Sequence, residues 1–148
     1  MIRVVAICVF RDGERILVSE GIDTVKQERF ARPLGGQVEA GETSAQAVVR
    51  EIREELGCAA TDLRLLGVLE NIFEYEGRPG HEIVFVYDGR FVDETLYGRP
   101  ELPMHEPGWA TPALWRPLWS FGPACRLVPE GLHELLAGRA TSEGLIQR

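Results

Sequence analysis

Three glutamates, Glu51, Glu54 and Glu55, lie close together in a segment whose apolar residues recur at helical spacing. At 100° per residue their carboxylates fall roughly opposite an apolar stripe formed by Ala45, Val49, Ile52 and Leu56. Like charges at these spacings repel by about 0.2–0.5 kcal/mol per pair, and acids in the last turns of a helix oppose its dipole. A hard divalent cation such as Mg²⁺ or Mn²⁺ would offset that cost, because it binds carboxylate oxygens. The helix alone leaves open a solvated charged face, with Arg50 and Arg53 as partners.

The residues in front of this helix complete a longer pattern. Gly36 is followed after five residues by Glu42 and, after seven more, by the run Arg50-Glu51-Ile52-Arg53-Glu54-Glu55-Leu56-Gly57-Cys58. The stretch from Gly36 to Cys58 resembles the Nudix box, which sets two glycines, four glutamates, an arginine and two apolar residues at these spacings. The sequence fits the box at every specified position, although Cys58 fills a position more often held by a larger aliphatic residue.

The resemblance to the Nudix hydrolase family implies a reaction and a set of roles. The reaction is hydrolysis of a nucleoside diphosphate linked to a further group, by attack of water on phosphorus with Mg²⁺ or Mn²⁺ bound. The implied metal ligands are the carbonyl of Gly36 and the carboxylates of Glu54 and Glu55. Glu51 would be a further ligand or the general base. Arg50 would orient Glu51, with Glu42 in the same network, so Arg50, Glu51 and Glu54 are the implied catalytic residues.

Other candidates lie outside the box. In this family a further acid often completes the metal site; we choose Glu106, in the loop before residues 114–118, and the competing acids are Glu70, Glu82 and Glu101. Arg29 and Arg32 precede the Gly35-Gly36 turn and could clamp phosphate, because a guanidinium forms paired hydrogen bonds with it. The alternatives are a solvated loop acid and surface arginines that balance nearby acids.

Aromatic residues offer a surface for a base. Phe73, Tyr75 and Trp109 could stack on one, although packing is the commoner role of aromatic residues in strands. Tyr75 lies 17 residues after the box, a spacing that resembles the dinucleoside polyphosphate hydrolases of the family. Trp115 is predicted to lie in the core. The three histidines show no ligand spacing, and Cys125 has no neighbouring base that would make it a nucleophile.

The strands that must position these residues can be read from the apolar runs. Val4 to Phe10 and Ile16 to Val18 are predicted as two strands joined by Asp12-Gly13, since this pair tolerates the positive φ of a tight turn. The first run is apolar on both faces, which indicates a central strand covered by helices on both sides. Residues 20–29 lack periodicity and are predicted as a loop. The later predicted strands are Leu63 to Tyr75 and Ile83 to Phe91, with a long hairpin over residues 76–80, and a short strand over Leu114 to Leu118.

Capping signals bound the helices. Thr43 and Gln46 have capping-box spacing and Gly57 suits the position after the last turn, so a helix is predicted from Ser44 to Leu56. A closing helix is predicted from Pro129 to Leu136. Mixed strands and helices predict an α/β (α+β) domain, and the resemblance implies the Nudix fold, a mixed sheet sandwiched between α-helices.

The composition bounds the function further. With 148 residues, 45% of them hydrophobic and 26% charged, the chain is expected to be one domain, residues 1–148, with a polar tail from about 139. The net charge of −7 argues against duplex nucleic acid as a partner. The longest apolar run has seven residues, too few for a membrane span. Three cysteines without paired spacing fit a reducing compartment, so we expect a cytoplasmic protein.

Three functional hypotheses follow. The leading one is a Mg²⁺- or Mn²⁺-dependent hydrolase of a small nucleotide derivative. The second is a domain of the same fold that senses a nucleotide without cleaving it; the full set of Glu51, Glu54 and Glu55 argues against this, because a pure binder does not need all three. The third is an isomerase of the isopentenyl diphosphate type, disfavoured because no positioned cysteine and glutamate pair is evident. Assembly as a homodimer is left open.

Overall fold

The structure is a computed structural model and describes residues 1–105 and 111–138. Within these ranges the chain forms nine strands and two α-helices, with the bounds β1 (Arg3–Asp12), β2 (Arg15–Asp23), β3 (Glu28–Arg32), β4 (Leu34–Gln37), α1 (Ser44–Leu56), β5 (Ala60–Tyr75), β6 (Arg78–Phe91), β7 (Glu101–Leu102), β8 (Ala113–Pro117), β9 (Arg126–Leu127) and α2 (Leu132–Leu136).

Strand β1 lies at the centre of the sheet, as its apolar run predicts. It pairs in parallel with β6 on one side and antiparallel with β4 on the other. β1 and β2 pair only at their shared turn, through Arg11 with Ile16 and Asp12 with Arg15. Beyond the turn β2 leaves β1 and pairs with β3 and β8. The two halves of the sheet therefore diverge, and they form the two sides of a cleft.

The side chains of β1 alternate between two cores. Those of Ala6, Cys8 and Phe10 join the core that α1 covers, and those of Val5, Ile7 and Val9 join the core on the other face, which α2 covers. A mixed sheet between helices is the predicted architecture, and it is confirmed. Among the described residues no helix is long and apolar enough to cross a bilayer.

Helix α1 has the predicted bounds and caps. Gln46 N donates to Thr43 Oγ1 at 3.1 Å while the Gln46 side chain accepts from Thr43 N at 2.8 Å, and Gly57 ends the helix with φ +69°. The predicted stripe is confirmed for Ile52 and Leu56, which are buried, whereas Ala45 and Val49 are only partly buried. The face that meets the sheet instead consists of Ala47, Val48, Ile52, Glu55 and Leu56. This buried face includes Glu55, which the helical spacing in the sequence places on the exposed side.

Three other boundaries differ from the prediction. Residues 20–29 are not a loop but the end of β2, a turn and the start of β3, because the Asp23 carboxylate accepts from Val25 N and Lys26 N at 3.0 Å and closes the turn. The hairpin between β5 and β6 has only Glu76 and Gly77 at its tip, with φ of +53° and +77°. Helix α2 begins at Leu132 and not at residue 129, since Gly131 is its N-cap.

Candidate active site

Arg50 lies at the centre of the candidate site. Its Nε and Nη2 donate to the two carboxylate oxygens of Glu42 at 3.1 and 2.7 Å. Its Nη1 donates to Glu51 at 3.1 Å and reaches Glu54 at 3.4 Å, while Nη2 also donates to the Gln37 carbonyl at 3.0 Å. One guanidinium thus ties the end of β4, the loop before α1 and the helix together, a task for which its planar fork is suited.

The loop before α1 holds Glu42 from its other side. Glu39 N donates to the Glu42 carboxylate at 2.9 Å, and Glu42 N donates to the Glu39 carbonyl at 3.1 Å. Gly41 between them has φ +90°, a conformation that glycine adopts without strain. The loop therefore holds the Glu42 carboxylate in place, and Glu42 in turn orients the Arg50 guanidinium.

Gly36 and Glu51 are packed so closely that no side chain fits between them. A Cβ placed on Gly36 would lie 2.5 Å from both Cδ and Oε2 of Glu51. Gly36 is also held in β4, opposite Ala6 of the central strand, so its backbone cannot easily move away. The requirement for glycine at position 36 is therefore explained, because only a residue without a side chain lets the Glu51 carboxylate lie against the backbone there.

The three glutamates of α1 lie at positions i, i+3 and i+4 of the helix, but they differ in exposure, so the prediction that all three lie opposite the packed face is wrong for Glu55. The Glu51 side chain is 17% exposed and that of Glu54 is 59% exposed, while Glu55 is 6% exposed. Glu55 instead lies on the buried face of the helix, with Ile52 and Leu56. Its backbone carbonyl accepts from His105 N at 2.6 Å, which ties the segment before residue 106 to the helix end.

The charges of this network stabilise one another. Hydrogen bonds from Arg50 hold the pKa of the Glu42 carboxyl below its usual value, and Glu42 in turn is the main cause that raises the pKa of Arg50. Within residues 1–105 and 111–138, no three acidic, histidine or cysteine side chains converge on one point as they stand. The donor set nevertheless fits Mg²⁺, which takes carboxylate and peptide oxygens, because the Glu51 carboxylate lies against the backbone of Gly36.

A cleft of about 370 Å³ opens between the diverging halves of the sheet. One side is built from β1, β5 and β6, and the other from β3, the end of β2 and residues 126–130. Five of the 16 basic residues of this acidic chain line it, namely Arg3, Lys26, Arg29, Arg32 and Arg126. Four acids also line it, Asp23, Glu28, Glu82 and Glu130. The lining thus has one more base than acids in a protein of net charge −7, and this local balance favours an anionic ligand.

The cleft brings together the residues predicted to bind substrate. Arg29, Arg32, Phe73 and Tyr75 all line it. The two arginines differ, because Arg29 donates to Glu20 at 2.9 Å whereas Arg32 has no ion pair with any residue that the structure describes. Tyr75 is 43% exposed and meets the Phe30 ring edge to face, with 5.7 Å between centroids.

Sequence reasoning missed the contact that closes one end of the cleft. The tips of the β2–β3 and β5–β6 hairpins meet through Thr24, whose N and Oγ1 donate to the Glu76 carboxylate at 2.7 and 2.6 Å. Glu76 N donates to the Asp23 carboxylate at 3.2 Å. The backbone hydrogen bonds to Asp23, from Lys26 foremost and also from Glu76 and Val25, lower its pKa. The prediction of a loop over residues 20–29 concealed this contact, because it did not place Asp23 at the end of a strand.

The remaining candidates are placed as follows. Glu106 and Trp109 lie outside the described residues. Trp115 is 6% exposed and lies in the core, which confirms its prediction. Of the competing acids, Glu70 and Glu101 are exposed, and Glu82 is buried in the cleft. The three cysteines form no disulfide, and burial raises the pKa of Cys8.

Comparison with known proteins agrees with this geometry. A family model described as the NUDIX domain matches residues 1–121. A CTP pyrophosphohydrolase from Escherichia coli (strain K12) is 46% identical over 61 residues, which cover 41% of this chain and 44% of that protein. The NAD-capped RNA hydrolase NudC of Mycobacterium bovis (strain BCG / Pasteur 1173P2) is 34% identical over 105 residues, 65% of this chain and 33% of that protein. The chain thus spans less than half of the length of these relatives.

A solved structure shows the same fold over nearly the whole chain. The crystal structure of a MutT NUDIX hydrolase from Burkholderia pseudomallei superposes with a TM-score of 0.67 and 24% identity, covering 93% of this chain and 97% of that one. At this identity the likeness concerns the fold alone. It confirms a mixed sheet with flanking helices.

Proposed function

The chain belongs to the Nudix family, whose model spans residues 1–121, and we propose that it is a metal-dependent pyrophosphohydrolase of small nucleotides. The substrate class is a nucleoside diphosphate linked to a further group. The observation that carries the proposal is the packing of Glu51 between the Gly36 backbone and the Arg50 guanidinium. This packing fixes a carboxylate in the middle of α1 against the end of β4, which a solvated charged face would not require.

We assign the metal to the carboxylates of α1 and the neighbouring backbone. Glu51, Glu54, Glu55 and the Gly36 carbonyl would hold Mg²⁺ or Mn²⁺, with Glu106 as a further ligand. When bound, the cation neutralises charge on the diphosphate and stabilises the leaving oxygen. The assignment of Glu55 rests on its position in the box, one residue after Glu54 on the same helix.

The chain's own residues supply orientation and proton transfer. Water adds to one phosphorus, the bridging P–O bond breaks, and two phosphate-terminated products leave. Glu51 takes the proton of the water or serves as a ligand; in both roles its carboxylate must keep the direction that Arg50 gives it. Glu42 accepts two hydrogen bonds from Arg50 and so fixes the arginine in turn. Orientation of this kind reduces the entropy that the reacting groups must lose.

We assign the substrate's phosphates and base to the cleft. Arg32 is the stronger phosphate ligand, because Arg29 is already paired with Glu20. Tyr75 offers a half-exposed ring for a base. The Escherichia coli relative is named for CTP, which makes a nucleoside triphosphate one candidate substrate. The free cysteines support a cytoplasmic location, and we treat residues 1–148 as one domain.

A panel of substrates tests the proposal. The protein is incubated with nucleoside triphosphates, ADP-ribose, dinucleoside polyphosphates and nucleotide sugars, with Mg²⁺, with Mn²⁺ and with excess EDTA, and the products are separated by ion-exchange chromatography. We expect at least one substrate to yield a nucleoside monophosphate only when metal is present. Turnover that persists in EDTA contradicts the metal assignment, and tight binding without turnover of any substrate would favour a sensor.

A further inference from the structure

A row of three polar residues crosses the floor of the cleft on adjacent strands. Glu82 on β6 lies opposite Asn71 on β5 and beside Arg3 on β1, and all three line the cleft. Residues in direct register carry their side chains on the same face of a sheet. The row therefore presents an amide, a carboxylate and a guanidinium side by side, with the carboxylate in the middle.

The carboxylate of Glu82 faces the cleft and accepts no hydrogen bond from the residues that the structure describes. The residue is 8% exposed, and its carboxylate forms one ion pair with a described residue, Arg3, at 3.6 Å, beyond hydrogen-bond distance. The Arg3 side chain is 47% exposed, so it gives the carboxylate only weak compensation. A carboxylate that faces a cleft and has no donor among the described residues can accept hydrogen bonds from a ligand in that cleft.

Glu82 does not belong to the carboxylates of α1. It lies two positions before Val84, which is on the same face of β6 and packs with Val5 in the core under α2. Helix α1 packs on the opposite face of the sheet through Val48 and Ile52. Glu82 therefore lies on the other face of the central strands from the α1 carboxylates and is not one of the proposed metal ligands.

An aromatic ring lies next to the row. Phe73 is opposite Gly80 in the β5–β6 ladder, and a Cβ on Gly80 would collide with the Phe73 ring. The missing side chain of Gly80 therefore leaves room for the Phe73 ring over β6, two positions from Glu82. A flat apolar surface beside polar groups of fixed direction is how proteins recognise a planar base.

We propose that Glu82 selects a base whose middle Watson–Crick nitrogen carries a hydrogen, guanine above all; this rests on the proposed action on nucleotides. A carboxylate accepts hydrogen bonds and donates none. Guanine offers two adjacent donors, N1–H and the N2 amino group, which match its two oxygens. The guanine O6 then accepts from Arg3 or from the amide of Asn71.

The other bases fit this row less well, because they offer fewer hydrogen-bond donors to the Glu82 carboxylate. Uracil offers one central donor, N3–H, between two carbonyl oxygens, so it satisfies Glu82 once. Adenine and cytosine place a ring nitrogen lone pair at the centre, where it faces the carboxylate and is repelled. The expected order of affinity is guanine, then uracil, then adenine and cytosine. Matched hydrogen-bond pairs of this kind discriminate between bases by roughly 10- to 100-fold.

Binding of the nucleoside monophosphates GMP, UMP, AMP and CMP to the whole protein in EDTA tests the proposal by calorimetry, apart from any catalysis. We expect GMP to bind at least about tenfold more tightly than AMP or CMP. In Glu82→Gln the amide can donate to the ring nitrogen of adenine or cytosine, so GMP alone should weaken. The matched control is Glu28→Gln, which removes the same charge from a half-exposed side chain paired with Arg126 at the rim of the cleft; it should leave the order unchanged.

Each outcome decides the proposal. Equal affinities, a preference for CMP, or no binding of any monophosphate would overturn it. A Glu82→Gln variant that weakens all four ligands equally would show that Glu82 supports the cleft and does not read the base. Hydrolysis of the panel without base preference would refute this inference and leave the proposed function standing, whereas GMP selectivity without hydrolysis would do the reverse.

Discussion

Replacement of Arg50 by lysine separates the geometry of the network from its charge. Arg50 donates four hydrogen bonds of 3.1 Å or less, two to Glu42, one to Glu51 and one to the Gln37 carbonyl. A lysine ammonium keeps the charge but is a single point at the end of a flexible chain. It can stay with one carboxylate, and it then loses at least two of the four hydrogen bonds.

The expected magnitude follows from that loss. Hydrogen bonds to charged groups contribute about 1.5–3 kcal/mol each when buried. The Arg50 side chain is 24% exposed, so we reduce each to about 1 kcal/mol for solvent screening. Arg50→Lys should therefore lower the free energy of unfolding by about 2 kcal/mol, or Tm by about 4–8 °C. Loss of the orientation of Glu51 should lower kcat by about 10–100-fold, the usual cost of removing a residue that orients a metal ligand.

Thermal melting by circular dichroism and steady-state kinetics on the best substrate of the panel measure the two effects. Arg53→Lys is the matched control, because Arg53 lies on the same helix, is exposed, and has no ion pair with a described residue. The control should keep both Tm and kcat. If Arg50→Lys also kept wild-type Tm and kcat, only the charge would matter and the orienting role of Arg50 would be refuted.

Three further predictions use the same site and cleft. Gly36→Ala should lower kcat strongly with a small change in Tm, since its Cβ would meet the Glu51 side chain. Gly35→Ala should lower Tm more, since its Cβ would meet the backbone of β1. Two variants with the same loss of kcat and the same loss of Tm would contradict this. Because the pKa of Glu42 is lowered in the folded state, its ion pair with Arg50 is fully present above the unfolded pKa of about 4.3 and is lost as the pH falls. The Tm difference between wild type and Glu42→Gln should therefore shrink below about pH 4. A Tm difference that is independent of pH would refute this. Arg32→Gln should raise KM several-fold more than Arg29→Gln, and the opposite order in steady-state kinetics would exclude Arg32 as the main phosphate ligand.

Local signals predicted the central part of the fold well. The caps at Thr43 and Gly57 act within one turn of the helix, so the bounds of α1 follow from the residues beside them. The apolar run of β1 identifies the centre of the sheet because only a strand buried on both faces has that pattern. The spacing of the box likewise brings Gly36, Glu51 and Arg50 together, since a turn and one helix connect them.

Features set by contacts between distant segments could not be predicted. The polar residues 20–29 form strands because Asp23 and Thr24 meet Glu76 more than 50 positions later. Glu55 is buried because the sheet approaches α1 along Val48 and Ile52, a direction that a helical wheel does not contain. The cleft, and the place of Glu82 in it, depend on how two halves of the sheet diverge.

The Mg²⁺ dependence of turnover in Glu54→Gln tests the central claim most directly. Glu54 is 59% exposed and contributes nothing to the core, so its replacement should leave the circular dichroism spectrum and Tm unchanged. If Glu54 is a metal ligand, the variant should need a higher concentration of Mg²⁺ for half-maximal rate and should lose kcat by orders of magnitude at saturation. A variant with the Mg²⁺ dependence and kcat of the wild-type protein would contradict the assignment of a metal-dependent hydrolase to this helix.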